Sequence, residues 1–588
     1  MLQRARALPL WSTLVLLGAL FYRDPGTAQD AASAEFLALP ALAGTRGGSL
    51  VSSINGDPRT FNHLLAHEIL STTVSDLISA DLVHVDRATL KLEPALARDW
   101  EVSQDRRSYT LHLRRGLRFS DGAPFGADDV LFSFQVVADP KVPSSSGDQL
   151  RVDGVFPALA RVDSHTVRVT FPRPTGAGLR VLDSVVILPR HRLEKPYREG
   201  RLPSAWGPET SPSEIAGMGP FRLREYQPGV KIVLERNPYY WKKDKSGQVL
   251  PYLDTVTLLI IPDRTAEALR FQTGDTDVLN SIDPENFAAL KRAEAGGKFT
   301  IHDLGPGLDY DFIAFNLNPG RGASGKPHVD PRKQALFEKQ QFRRAVSHAL
   351  NRAGIARTVL LGLGAPQYGP VTPGNKGWYH PSPDPPEYNP ARARELLASL
   401  GLRDADGNGV LDLEQGRDLE FTLLTTRGTA RRERTAEIVK ENLSKVGVRV
   451  VTQSVDLRDL VQRVTASFDY EAFLMGFTPT DPEPDALTDV WYSGGSDHFW
   501  HPGQPRPARA WEAEIDRLVS QLVRSTDGTE RRKLFAEVQG IWVREMPIIP
   551  TVSRNILAAW KTKVANIRPS VRQPHLIWNA EELWLAGR

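Results

Sequence analysis

Ala97–Phe134 reads ARDWEVSQDRRSYTLHLRRGLRFSDGAPFGADDVLFSF. Tyr109-Thr110-Leu111-His112-Leu113 alternates apolar and polar side chains, the period of a half-buried strand. Ser120-Asp121-Gly122-Ala123-Pro124 is a turn. A helix starts near Ala127. Asp128 and Asp129 place carboxylates in its first turn, where free N–H groups and the positive helix end favour them, and Val130, Phe134 and Val137 form its apolar face.

The same alternation continues outward on both sides. Toward the N-terminus, residues 64–82 suit a helix with Leu65, Ile69, Leu77 and Ile78 apolar, and Ser49–Ile54 is a strand ended by Asn55-Gly56-Asp57-Pro58. Toward the C-terminus, Thr166–Phe171 and Val185–Leu188 carry strand signals. A hairpin follows, Phe221-Arg222-Leu223 pairing with Lys231–Glu235, and then the buried-type strand Thr255–Ile261 and a helix near Thr265–Gln272. The second half continues with a strand at Phe312–Leu317, a helix at Pro390–Leu400 and a strand at Phe421–Thr425. A helix at 432–446 then sets Ala436, Val439, Leu443 and Val446 on one face, and another strand begins at Val448. This order predicts an α/β protein with mixed sheets flanked by helices, and no solenoid repeat interrupts it.

Composition bounds the chemistry. The 588 residues hold 73 Lys and Arg against 70 Asp and Glu, a net +3, which gives no reason to expect nucleic acid as partner. Cysteine is absent, which excludes thiol catalysis, thiolate zinc sites, disulfide staples and the usual residue for bacterial lipid anchoring. Arg4 and Arg6 precede the apolar run Leu8–Leu20, and small residues follow at Gly26-Thr27-Ala28; residues 1–28 therefore read as a signal peptide and 29–46 as a flexible leader. The mature protein is expected to be exported, periplasmic and soluble. No phosphate loop, nucleophile elbow or HExxH helix appears, so catalysis is not expected, and no cofactor is required.

Several blocks together resemble the peptide and nickel class of bacterial extracellular solute-binding proteins, the family of dipeptide- and oligopeptide-binding proteins. Ala97–Phe134 is similar to its "LRxGxxFSDGxPxxAxDV" pattern, and GMGPFRLREYQPGVKIVLERNPYYW at Gly217–Trp241 is similar to a second block. Further matches are FQTGDTDVL, YDFIAFNLN, QFRRAVSHALNRAGIARTVLLGLGAP, RTAEIVKENLSKVGVRV and EVQGIWVREMPIIPTVSR, in the family's order from Gly47 to Ser553. The resemblance implies a two-lobed periplasmic-binding-protein fold. Lobe one would span 47–303 with an extra small domain at about 80–165, lobe two 304–549, and 550–588 would return to lobe one. Two hinge crossings, near Ile301–Leu304 and Ile549–Val552, would leave a cleft that closes on ligand. It further implies a monomer that hands a peptide-like solute to ABC permease subunits in the inner membrane, driven by cytoplasmic ATPases. Oligosaccharides, opines, metal chelates or a sensory role are the alternatives, and a periplasmic hydrolase stands last.

The resemblance also implies site residues. A Gly-aromatic-x-x-Asp-Pro loop presents a carboxylate to the ligand's α-ammonium, a group that needs a charged partner once it leaves water. Here the segment from Met475 to Asp485 carries Phe477 and offers Asp481, Glu483 and Asp485, with Asp481 and Asp485 the leading candidates. The strand Tyr310–Asn316, with Tyr310, Phe312 and Asn316, is the candidate for main-chain pairing with an extended peptide. Asp404–Gln415, DADGNGVLDLEQ, follows the calcium-loop spacing at Asp404, Asp406, Asn408 and Asp412, but its twelfth position is Gln415; a calcium there would be structural. His498 and His501 in DHFWHP are at most incidental metal ligands.

Overall fold

The computed structural model describes residues 35–587 except 40, 41, 67, 153, 323, 415 and 480. The segment read as a signal peptide lies outside the described residues. No helix among the described residues is long and apolar enough to cross a membrane.

Two large apolar cores organise the chain. The first gathers residues from Leu50 to Ile260 and from Ala558 to Leu585. The second gathers Tyr310 to Ile549. Between them run two long strands, Phe299–Phe315 and Ile548–Lys561, paired antiparallel with register shifts between Asp303 and Phe312. The shifts fall where the strands pass from one core to the other, and Gly305, Pro306 and Gly307 interrupt the ladder there.

These strands are central in a seven-stranded mixed sheet. Glu420–Thr426 lies parallel to both its neighbours, Arg449–Val455 and Ala472–Phe477, and Ala472–Phe477 is antiparallel to Phe299–Phe315. The helix Ala430–Ser444 packs Ala436, Val439 and Leu443 onto it, the face its spacing predicts. In the first core, Ser49–Ile54 and Thr255–Ile260 pair in parallel, and Thr255–Ile260 joins the hairpin Phe221–Gln227 and Lys231–Arg236. A second four-stranded sheet, ordered Ala97–Val102, Ser108–Leu113, Thr166–Thr170, Ala158–Asp163, carries the opening block. Its helix Ala127–Ala138 follows as expected, with Asp129 Oδ2 accepting from Gly126 N at 3.0 Å.

Two local expectations change. The stretch read as a flexible leader is a docked strand at Leu37–Leu39, parallel to Lys242–Asp244, and Leu37, Leu39 and Leu42 pack on the first core. Apolar side chains at alternate positions need a surface to cover, and the first core provides it. Val185–Leu188 forms only the single bridge Asp81–Val186, because a helical turn at Gly178–Ser184 delivers the chain there side-on.

Candidate functional site

A cavity of about 1280 Å³ lies between the two cores. Most of its wall belongs to the first core, and Thr478–Asp489, the loop after strand Ala472–Phe477, closes it from the second. Among the described lining residues thirteen are Asp or Glu and six are Arg or Lys, so the interior favours a ligand presenting positive charge.

The loop is held across the gap by arginines. Asp481 Oδ2 lies 3.2 Å from Arg572 Nη1, and its Oδ1 lies 3.7 Å from Arg180 Nη2. Arg180 Nε also approaches Glu483 Oε2 at 3.7 Å. Arg180 is fixed by donating to Leu90 O at 3.0 Å, and Arg572 reaches back to Asp183 at 3.9 Å. Burial works against the Arg572 charge, but Asp481, Asp183 and Asp76 outweigh it, and its pKa rises. The same rim is sealed by one backbone and one side-chain hydrogen bond: Gly176 N donates to Val523 O at 2.6 Å, and the Arg106 guanidinium donates to the Thr526 hydroxyl. The two cores therefore meet through ion pairs and hydrogen bonds on this side of the cavity, the arrangement of a closed cleft.

Behind the loop Arg531 binds Glu483 and, at 2.8 Å, Asp485 Oδ1. Burial pushes the Asp485 carboxyl up from 3.8 to about 6, Arg531 opposes the rise and Glu483 adds to it. Between those two values the folded chain binds a proton that the unfolded chain does not, so this group adds stability as pH falls from 7 through 6. Asp485→Asn lacks that gain. Its unfolding free energy, followed by denaturant titration, is expected to lose about 2 kcal/mol relative to the parent between pH 7.5 and 4.5. A gap that stays constant over that range would show that Asp485 is already ionised like an exposed carboxylate.

The first-core wall carries further charge pairs. Asp76 takes Arg87 at 2.5 Å and His63 at 3.2 Å; burial would raise its carboxyl, but Arg87 and His63 bring it below its usual value. Lys242 and Glu581 pair at 2.8 Å beside Tyr240. Asp81, His84 and Asp183 converge on one another at the cavity surface, from the loop before strand Val83–Val85, that strand, and the turn Gly178–Ser184.

The expected site residues separate into two groups. Asp481 and Asp485 line the cavity, and Glu483 stands between them. Tyr310, Phe312 and Asn316 do not line it, and here the expectation is corrected. Tyr310–Phe315 is paired on one edge with Ala472–Phe477 and on the other with Ile548–Lys561, so no edge is left there for a peptide strand. Tyr310 and Phe312 are buried in the second core, and Asn316 donates to Phe468 O and Tyr470 O. Phe477 also misses the cavity; its ring sits 5.9 Å from Tyr310 and 5.4 Å from Phe499 and supports the loop from beneath.

In the segment 404–412, Asp404 Oδ1 accepts from Gly407 and Asn408, Asp404 Oδ2 from Gly409, Asp406 Oδ1 from Asn408, and Asp412 Oδ2 from Ala405. His498 is buried beside Glu512 at 3.6 Å and packs at a tilt against Trp500, with ring centroids 3.8 Å apart. Sequence reasoning missed Arg180, Arg531, Arg572, His84 and Asp183. Apart from the local pair of His84 with Asp81, each finds its partner through tertiary contact and sits in no spacing pattern that marks it.

Residues 91–499 match the model of bacterial extracellular solute-binding proteins, family 5 Middle. The oligopeptide-binding protein AppA of Bacillus subtilis is 28% identical over 598 residues, covering 100% of both chains. Its structure in complex with a nonapeptide superposes with a TM-score of 0.70 at 26% identity, covering 93% of this chain and 100% of that one. The periplasmic binding protein MelB of Agrobacterium fabrum in complex with stachyose gives a TM-score of 0.72 at 26% identity, covering 93% and 86%.

Proposed function

From the premise that this chain belongs to the bacterial extracellular solute-binding proteins of family 5, we propose that it is the solute-capturing component of an ABC-type importer. It takes up peptides outside the cytoplasmic membrane and presents them to a permease. The observation that carries this reading is the cavity of about 1280 Å³ enclosed by two cores and latched by Arg180 and Arg572 on Asp481. That volume exceeds the roughly 300–1,000 Å³ of sites for drug-sized ligands, which suits a short oligomer rather than a single small molecule. The bound relative with a nonapeptide is consistent with it. The chain does no chemistry in this role: ligand shifts an open–closed equilibrium, and the closed form is what the permease reads.

The acidic lining sets a preference. Peptides with Lys or Arg side chains are expected to bind more tightly than acidic ones of equal length, with a difference that shrinks as salt rises. Asp481 serves as the anchor for a ligand ammonium, and its arginines give way to it or share it. Asp481→Ala is expected to lower peptide affinity by about 10- to 100-fold, the worth of one charge-assisted hydrogen bond. The direct test is mass spectrometry of ligand released by denaturing gently purified protein, followed by calorimetry with a peptide panel. Recovery of oligosaccharide or metal chelate with no peptide would overturn the peptide assignment and leave the closing cleft intact.

A further inference from the structure

One cluster on the cavity wall is not explained by latching or by ammonium capture. His84 Nδ1 lies 2.9 Å from Asp81 Oδ2 and 3.6 Å from Asp183 Oδ1. The three ligand-type atoms all lie within 4.8 Å of one another; Asp81 and His84 are three residues apart, and Asp183 comes from the turn Gly178–Ser184. All three side chains are partly exposed, at 33%, 17% and 17%, and they face the cavity.

The hydrogen-bond arithmetic leaves a surplus. A histidine ring offers one proton at Nδ1, and Asp81 at 2.9 Å takes it. Asp183 Oδ1 accepts from Val85 N at 2.8 Å, which fixes the carboxylate in place without neutralising it. Its nearest arginine is Arg572, 3.9 Å from Oδ2, and Arg572 is closer to Asp481 at 3.2 Å. Two carboxylates thus converge on one imidazole nitrogen with one proton between them.

We propose that Asp81, His84 and Asp183 bind a divalent transition-metal ion inside the cleft. One imidazole nitrogen and two carboxylate oxygens form the mixed N/O donor set that suits zinc or nickel rather than calcium, which takes six to eight oxygens. The His84 nitrogen stands 2.9 Å from one carboxylate and 3.6 Å from the other, close to the about 3–4 Å that separates ligands held at bond lengths near 2.0–2.2 Å. Val85 N orients Asp183 from behind, the role a supporting hydrogen bond plays around a metal. The side toward the cavity stays open, so a bound ion keeps coordination positions for water or for a donor atom of the captured solute. The chain has no cysteine to compete for the ion.

The test uses the full chain, stripped with chelator, dialysed and titrated with Zn²⁺ and with Ni²⁺ by calorimetry, with bound metal counted by elemental analysis. One equivalent is expected for the parent, and Ca²⁺ or Mg²⁺ should not displace it. His84→Gln and Asp183→Asn are each expected to weaken binding at least tenfold. Asp81→Asn provides a third variant should either of those melt early. Co²⁺ provides an independent readout, since visible d–d bands should appear in the parent and fade in the variants. No stoichiometric metal in the parent, or affinity unchanged in folded His84→Gln and Asp183→Asn, overturns the proposal. Peptide binding by the metal-free chain is measured beside it, so loss of the metal site and loss of the peptide reading remain separate results.

Discussion

Gly176→Val is expected to prop the cleft open and to cost about 10- to 100-fold in ligand affinity while leaving each core folded. Gly176 sits at the tip of a first-core loop, pressed against the end of the second-core helix Ala510–Arg524. A Cβ at this position would overlap the Ser525 carbonyl oxygen and come within 2.9 Å of both Leu522 O and Arg531 Nε. The two carbonyls are backbone at a helix end, so they cannot swing aside as a long side chain would. Overpacking of this kind costs about 1–3 kcal/mol for ordinary core insertions, and valine adds three carbons against fixed atoms. Opening the cleft relieves the overlap entirely. The penalty therefore falls on the closed form alone, and a ligand that binds by closing the cleft loses affinity by the same amount, with about 1.4 kcal/mol per tenfold. Small-angle scattering should show an open radius with or without ligand, and the melting temperature without ligand should stay near that of the parent. Parent-like affinity and ligand-induced compaction in the valine variant would mean the two cores do not meet at Gly176 when the protein is loaded.

Arg343→Met is expected to destabilise the fold by about 2–6 kcal/mol. Arg343 is among the largest fully buried side chains, and no carboxylate touches it. Its guanidinium donates to Glu545 O and Met546 O at the end of helix Gly528–Glu545, and to Phe337 O and Glu338 O at the end of helix Pro331–Phe337. These are C-terminal carbonyls with no partner inside their own helices, and the negative helix ends favour a cation there. Burial lowers the guanidinium to about 10, which still leaves it charged at neutral pH. Methionine fills similar space and leaves four carbonyls without this donor, of which Phe337 O and Met546 O are buried, at roughly 1–3 kcal/mol for each group that water cannot reach. The effect reaches the hinge, because Met546 lies two residues before the crossing strand Ile548–Lys561. Urea or guanidinium unfolding measures it. A loss below about 1 kcal/mol would mean that water replaces the guanidinium and that the two helix ends are less closed than their packing indicates.

The local elements were largely legible. Ala127–Ala138, Phe221–Gln227, Lys231–Arg236, Glu420–Thr426 and Ala430–Ser444 all stand where apolar spacing and turn residues put them. Periodicity records which face of an element is buried, and that information is local. The site was legible only in part. Asp481 and Asp485 could be chosen because their loop resembles a known pattern, and both reach the cavity. Tyr310, Phe312 and Asn316 were chosen for lying on a strand, but whether a strand has a free edge depends on its neighbours, and this one has two. Leu37–Leu39 was passed over because three residues are too few to show a period, and its partner Lys242–Asp244 lies some two hundred residues away.

The sequence by itself determined the family, the mixed α/β class and the order of elements, since these rest on short-range pattern and on motifs in a fixed succession. Only the tertiary structure decided what the cleft contains. Arg180 and Arg572 meet Asp481, and Asp81 and His84 meet Asp183, across separations of about a hundred to three hundred residues. Charge pairing at such range leaves no period and no spacing along the chain. It arises where the fold brings side chains within a few ångströms in a cavity poor in water, where an unmatched charge is costly.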